Sequence, residues 1–212
     1  MYKTTLIVTI ILAYASIAAA QSDYKKFEFF GGYSHNRIDT GIGDADPDLS
    51  DVVDEREGFN GFNASITGNV TRYVGLKFDV SGHFKSRTIP FGPISNGIDI
   101  NSRLYNFMGG VQIKDNSSET TFKPFVHGLF GAAHGRNRFD ISNDVCVAIA
   151  PAPCPGDFTQ KETGWAAAFG GGLDIRANDR IDIRVIQVDY NPTGLFDSTQ
   201  HNFRIGVGVV FH

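Results

Sequence analysis

The sequence predicts an all-β protein, a transmembrane eight-stranded antiparallel up-and-down β-barrel. Three observations support this prediction: strand-like segments recur along the chain, short and long connections between them alternate, and charged residues collect on one face of the strands. Within the segments, apolar and polar residues alternate with a period of two, which indicates strands whose faces meet different surroundings.

The N-terminus has the features of a secretory signal peptide. Lys3 precedes an apolar run over residues 6–20, which ends in Ala18-Ala19-Ala20. A charged start, an apolar stretch and small residues before the cleavage point are typical of such a signal. A membrane-spanning helix needs about 20 apolar residues, and this run is shorter. We therefore expect a cleaved signal over 1–20 and a barrel domain over 21–212.

Eight strands are predicted, and several have clear faces. In the third, Val74, Leu76 and Phe78 alternate with Lys77 and Asp79. The predicted strands lie near 27–38, 57–70, 73–85, 102–114, 122–136, 163–176, 180–190 and 200–212.

Two strands depart from simple alternation. In 180–190 the apolar phase changes near Val185-Ile186, which predicts either a β-bulge or a more apolar lumen beyond that point. In 122–136 neither phase is clearly apolar, so the sequence assigns no faces there.

The connections alternate in length. Short ones follow the second, fourth and sixth strands, and the predicted long loops are 39–57, 86–101, 137–162 and 191–199. Transmembrane β-barrels have short periplasmic turns, longer extracellular loops and an even number of strands. A soluble meander has no reason to place every second connection long.

The polar phase carries charges of both signs. Four are acidic and five are basic: Glu28, Lys77, Asp79, Lys85, Asp174, Arg176, Asp182, Arg184 and Arg204. Unpaired charge away from bulk water is costly, so near-balance favours an enclosed lumen with a charge network. The interior of an eight-stranded barrel is just wide enough for side chains to fill, which accounts for glycines on the same phase.

The apolar phase is rich in aromatic residues near strand ends, where a membrane barrel carries its girdles. These are Phe27, Phe29, Tyr73, Phe84, Tyr105, Trp165, Phe203 and Phe211. A soluble core would use aromatics equally well. The last strand is the most regular, and we expect its outward face to meet lipid through Phe203, Ile205, Val207, Val209 and Phe211.

These patterns, with the stretches at 183–190 and 201–211, resemble the eight-stranded outer-membrane barrels typified by the OmpA transmembrane domain and OmpX. The resemblance implies a bacterial outer-membrane location with both termini in the periplasm, and contacts with outer-membrane lipid and lipopolysaccharide. It also implies that the barrel-assembly machinery reads the last strand, although this chain ends in His212 after Phe211. The implied role is structural or surface-interacting, through extracellular loops whose partner the sequence does not identify.

Two further possibilities follow from the barrel interpretation. The lumen charges could gate a narrow ion path, as implied by the resemblance to OmpA. Alternatively, the chain could be a secreted lipocalin-like barrel that carries a small apolar ligand. In that case Lys77, Asp79, Asp174 and Arg204 would face outward, and Phe78, Val80 and Leu173 inward.

Little in the sequence indicates catalysis, a cofactor or nucleic-acid binding. No histidine has the spacing of a nucleophile–base pair, and the net charge of −4 with no basic patch argues against nucleic acid. The acidic loop 39–57 lacks the glycine and flanking helices of a calcium-binding loop, so no metal site is predicted. Cys146 and Cys154 are expected to form a disulfide within the third long loop.

Overall fold

The computed structural model describes residues 24–39, 56–89, 98–117, 119–141, 157–195 and 198–212, and its strands close into one barrel. Each strand pairs antiparallel with the next, and the first pairs with the last. The eight-stranded up-and-down barrel is therefore confirmed. Its strands are β1 (Phe27–Asp39), β2 (Arg56–Asn69), β3 (Val74–Ile89), β4 (Ile98–Lys114), β5 (Phe122–Ile141), β6 (Phe158–Arg176), β7 (Ile181–Leu195) and β8 (Ser198–Phe211).

The two ends of the barrel differ. At one end, here called the short-turn end, tight connections follow β2, β4 and β6; Val70 N, for example, donates to Val74 O at 2.9 Å. The opposite end is called the long-loop end. There the strands lead into 40–55, 90–97, 142–156 and 196–197, which lie outside the described residues. The predicted signal peptide, most of the acidic loop and the predicted disulfide Cys146–Cys154 also lie outside them.

Several strands extend further toward the long-loop end than the sequence predicted. The predicted ends were drawn where apolar alternation stops, but backbone pairing continues there between polar residues such as Thr88 and Asp99. The predicted long loop 191–199 is wrong for the same reason, because β7 runs to Leu195 and β8 begins at Ser198. The larger extensions bring β3 to Ile89, β4 back to Ile98, β5 to Ile141 and β6 back to Phe158.

The structure resolves the two strands of uncertain phase. The β-bulge in β7 is confirmed, since the register with β8 shifts between Arg184 and Gln187, and Val185 and Ile186 both face outward. The alternative, in which Ile186 and Val188 face a more apolar lumen directly beyond that point, is therefore wrong, because both are exposed while Gln187 and Asp189 are buried. In β5 the inward residues are Lys123, Phe125, His127 and Leu129, alternating with an outward face of Phe122, Pro124, Val126, Gly128 and Phe130.

The barrel exposes its apolar phase and buries its polar phase. Phe78 is 50% exposed, whereas its neighbours Lys77 and Asp79 are 2% and 0% exposed. Asp174 and Arg204 are buried as well. This is the reverse of what a lipocalin-like barrel requires, so that alternative is wrong. None of the described residues forms a helix long and apolar enough to cross a membrane.

Candidate functional site

The buried charges of the described residues are equal in number: five basic side chains face five acidic ones in the half of the interior nearer the short-turn end. They are Lys77, Lys114, Lys123, Arg184 and Arg204 against Glu28, Asp79, Asp174, Asp182 and Asp189. Since an unpaired ion in a low-dielectric interior is very costly, this balance is what an enclosed polar core requires.

The first group of contacts centres on Asp174. Arg184 donates to both of its oxygens, from Nε at 2.7 Å and from Nη2 at 3.0 Å. Lys114 Nζ donates to Asp174 Oδ2 at 3.1 Å and to Glu28 Oε2 at 2.5 Å. Four charged side chains from β1, β4, β6 and β7 are thus tied together across the barrel.

Arg184 lies between two aromatic rings. Its guanidinium carbon is 4.2 Å from the centre of Phe30 and 4.1 Å from that of Phe125. Three glycines make room for these rings: a Cβ at Gly172 would lie 2.9 Å from Phe125, and a Cβ at Gly32 or Gly208 would lie 2.9 or 2.7 Å from Phe30. The predicted link between inward glycines and a narrow interior is explained here by particular contacts.

The second group centres on Arg204. It donates to Asp79 Oδ1 at 2.9 Å and to Asp189 Oδ2 at 2.6 and 2.8 Å. Asp189 Oδ1 lies 2.9 Å from His127 Nε2, and Lys77 Nζ lies 3.3 Å from His127 Nδ1. Gln187 connects the two groups, because it accepts from Arg184 and donates to Asp189.

A separate group of charged side chains, centred on Asp182, lies closest to the short-turn end. Lys123 Nζ donates to Asp182 Oδ2 at 2.9 Å, and His212 Nε2 lies 2.8 Å from the same oxygen. Arg176, which the sequence assigned to the enclosed charge network, is only half-buried and forms an ion pair with the largely exposed Asp179 at the turn after β6. Lys85 contacts Glu57 near the long-loop end, at 3.7 Å.

Sequence reasoning missed four ionisable members of this interior. Lys114 follows the inward phase of β4, but the assigned network did not include it. Lys123 and His127 lie on β5, whose faces the sequence did not reveal. Asp189 follows the bulge, so its phase could be found only by first placing the bulge correctly.

An uncharged polar layer follows the buried charged residues in the direction of the long-loop end. Asn106 donates to Ser81 and Asn191, each at 3.3 Å. Ser34 Oγ and His83 Nε2 are 2.9 Å apart, the spacing of a nucleophile and a base. Both side chains are buried, and His83 Nδ1 has no partner among the described residues that would orient the ring. We interpret the pair as interior packing.

An apolar layer closes the interior toward the long-loop end. It consists of Ile38, Phe59, Leu104, Met108, Leu129, Ala133, Ala166, Ala168 and Leu195. Above it a cavity of about 160 Å³ opens between the strand ends, with Phe59 and Leu195 in its lining and Glu57, Lys85 and Arg87 among its charged residues. The interior therefore changes from charged to polar to apolar along the barrel axis.

The outer wall carries the apolar band with aromatic residues at both edges. Phe29, Phe122 and Phe211 are exposed near the short-turn end, and Phe84, Trp165 and Phe203 nearer the long-loop end. On β8 the outward residues Phe203, Ile205, Val207 and Phe211 are exposed, and Val209 is half-buried.

Comparison with known proteins agrees with this geometry. The family model described as "Outer membrane protein beta-barrel domain" matches residues 7–211. The chain belongs to this family. It is therefore an outer-membrane β-barrel, as the resemblance noted in its sequence implies. No protein with a curated description matches the chain significantly.

Solved structures share the fold of this outer-membrane barrel at low sequence identity. Ail, the attachment invasion locus protein of Yersinia pestis, is 18% identical with a TM-score of 0.54, over 87% of this chain and 97% of Ail; that structure contains the heparin analogue sucrose octasulfate. Neisserial surface protein A is 11% identical with a TM-score of 0.52, over 90% of this chain and 99% of its own. At these identities the likeness concerns the fold alone.

Proposed function

We propose that this outer-membrane barrel is a non-enzymatic surface protein whose long-loop end faces the cell exterior and carries its interactions. The observation that carries the proposal is the asymmetry of the two ends. Strands β3 to β6 continue past the aromatic edge of the band as a polar wall, with Ser86, Asn101 and Arg138 in neighbouring positions. Binding functions in β-barrels are concentrated on such loops and their supports.

The similar structures support a surface role without defining it. One is an attachment invasion locus protein and the other is a surface protein by name. By analogy, a loop partner of this chain would be met outside the cell. The periplasmic position of both termini and removal of residues 1–20 during export belong to the same proposal.

Labelling of intact cells tests the orientation. We expect a membrane-impermeant maleimide to label Thr88→Cys at the long-loop end but not Asn178→Cys in the turn after β6, both of which are exposed sites. The parent chain is the control for Cys146 and Cys154, which we expect to be unreactive as a disulfide. Labelling of Asn178→Cys alone would mean that the barrel is inverted and would overturn the proposed surface role.

Assembly is proposed to depend on the outward face of β8, as the resemblance to OmpA and OmpX implies. Phe211 is 50% exposed at the end of that face. We expect Phe211→Ala to lower the yield of folded barrel in the outer membrane. Phe122→Ala, which removes an exposed aromatic near the same end but on β5, is the matched control. Equal losses from both variants would argue against recognition of the aromatic face.

The buried charge network supports a second hypothesis, a narrow gated ion path. Conduction would require the ion pairs around Arg204 to open and also the apolar layer around Leu195 to hydrate. Because an ion would have to pass both barriers to cross the barrel, we consider this the weaker hypothesis. Conductance near zero in planar bilayers would remove it, and discrete openings that Arg204→Met alters would support it.

A further inference from the structure

Three basic residues lie side by side on the outer wall near the long-loop end. Arg103 on β4 is directly opposite Arg136 on β5, and Arg136 is directly opposite Lys161 on β6. Their neighbours Leu104 and Gly135 are buried in the interior, so the three lie on the outward phase. Arg103 and Lys161 are exposed and Arg136 is half-buried. We call these three residues the basic row.

This arrangement is unfavourable by itself. Directly opposite residues of an antiparallel pair have Cβ atoms about 4.5–5.5 Å apart, and like charges there destabilise the sheet. Among the described residues, no acidic side chain forms an ion pair with any member of the basic row. Asp140 and Asp157 are paired with Arg138, which lies two residues beyond Arg136 on β5.

A polar cavity adjoins the basic row. It is lined by Asn101, Arg103, Arg136, Arg138 and Asp140, with a volume of about 210 Å³. An anion in this cavity would offset the repulsion between Arg103 and Arg136. Guanidinium groups suit a phosphate in particular, because their planar donors form paired hydrogen bonds with its oxygens.

The depth of the basic row points to a membrane anion. On β4 the outward residues run from Ile113 through Phe107 and Tyr105 to Arg103. Ten residues at about 3.3 Å each, tilted by about 40°, correspond to roughly 25 Å across the membrane, the height of the apolar band of such barrels. The basic row therefore lies where the band ends and lipid headgroups begin.

We propose that Arg103, Arg136 and Lys161 bind the phosphate groups of a phosphorylated glycolipid in the outer leaflet. The aromatic side chains just below them, Tyr105 and Trp165, would contact the upper part of its acyl region. The lateral position of the basic row, on the wall and not at the loop tips, favours a lipid over a soluble polyanion. The inference rests on the proposed orientation, which decides the leaflet.

Lipid binding to the purified, folded full chain in detergent tests the proposal. Native mass spectrometry would compare bisphosphorylated lipid A with its dephosphorylated form. We expect the phosphorylated form to bind at least tenfold more tightly, and Arg103→Gln/Arg136→Gln to remove most of that preference. Arg103→Lys/Arg136→Lys should retain much of it, because the charges remain.

The matched control is Arg72→Gln/Arg180→Gln, which removes two positive charges from exposed turns at the opposite end. It should leave the preference unchanged. Lys161→Gln supplies a second variant of the basic row, with an expected smaller loss.

Three results would overturn the proposal: equal binding of the two lipid A forms, an unchanged preference in Arg103→Gln/Arg136→Gln, or equal losses in the control. Sucrose octasulfate would serve as a second probe. If the variant keeps its lipid A preference but binds sucrose octasulfate more weakly than the parent chain does, the basic row belongs to a soluble sulfated ligand instead. Because the measurement is made in detergent, it does not depend on orientation. Labelling of Thr88→Cys in cells tests orientation separately, so the two failures are distinguishable.

Discussion

Arg204 on β8 donates two hydrogen bonds to one oxygen of Asp189 on β7, from Nη2 at 2.6 Å and from Nε at 2.8 Å. The same guanidinium reaches Asp79 on β3 at 2.9 Å. All three side chains are buried. Loss of the guanidinium would leave two carboxylates without their main counter-charge, so we expect the polar core to be sensitive to changes at this contact.

Arg204→Met should therefore destabilise the folded barrel strongly. Breaking a buried ion pair from one side costs about 3–5 kcal/mol, because the remaining charge is uncompensated. Urea unfolding in lipid vesicles, followed by the fluorescence of the single tryptophan, Trp165, measures the change. Arg72→Met, which breaks an exposed ion pair with Asp115, is the control and should change little.

Removing one charge of each sign provides a stricter test of the same contact. Asp189→Asn/Arg204→Met should be more stable than Arg204→Met alone, because four buried basic side chains then still face four acidic ones. An Arg204→Met variant as stable as the parent chain would mean that the ion pairs do not hold the barrel together.

Arg184→Lys should also destabilise the barrel although it keeps the charge. An ammonium cannot reproduce the two hydrogen bonds to Asp174 together with the guanidinium contacts to the rings of Phe30 and Phe125. We expect a loss of about 1–3 kcal/mol in the same unfolding measurement. Lys85→Arg, near the long-loop end, is the reciprocal control. A loss no larger than that of the control would contradict the proposed role of the planar group.

The bulge in β7 predicts that two consecutive residues face lipid. In a Trp165→Phe background, both Val185→Trp and Ile186→Trp should be quenched by lipids brominated in the acyl chain. Ala177→Trp, in the turn after β6, should not be quenched. Quenching at only one of positions 185 and 186 would contradict the bulge, because regular alternation puts one of them inside.

The turn ion pair predicts a small pH dependence of stability. Arg72 donates to both oxygens of Asp115, at 2.8 and 3.0 Å, and this contact holds the pKa of Asp115 well below its usual range. The stabilisation is fully present above the unfolded pKa of about 4 and is lost as the pH falls toward the folded pKa.

Asp115→Asn is the variant that isolates this contribution. The difference in urea midpoint between the parent chain and Asp115→Asn should be constant near neutral pH and shrink below about pH 4. A difference that grows on acidification would contradict the assignment, because only a group with a raised folded pKa gains stability in that direction.

Much of the fold could be predicted from alternation alone. On β8, Phe203 and Arg204 face opposite sides because consecutive strand residues do so in any register. Alternation fails where the inward side chains are not polar. On β5, Phe125 and Leu129 point inward, so the phase that holds Lys123 and His127 could not be recognised.

Contacts between neighbouring strands depend on strand register, which the alternation of apolar and polar residues does not reveal. That Arg103 is opposite Arg136, and Arg136 opposite Lys161, depends on the registers of β4, β5 and β6. The predicted strands also ended at 136 and began at 163, which left Lys161 in a loop. The basic row could thus be found only after the strands were extended and paired.

The apolar face of this barrel meets lipid, and its charged face is enclosed. A gel of the isolated outer-membrane fraction, with samples boiled and unboiled, is the decisive measurement. We expect a folded unboiled band whose mobility changes on boiling, because a closed barrel resists the detergent until it is heated. Identical mobility in both samples, with the chain recovered in the soluble fraction, would mean that the apolar face does not lie in a membrane.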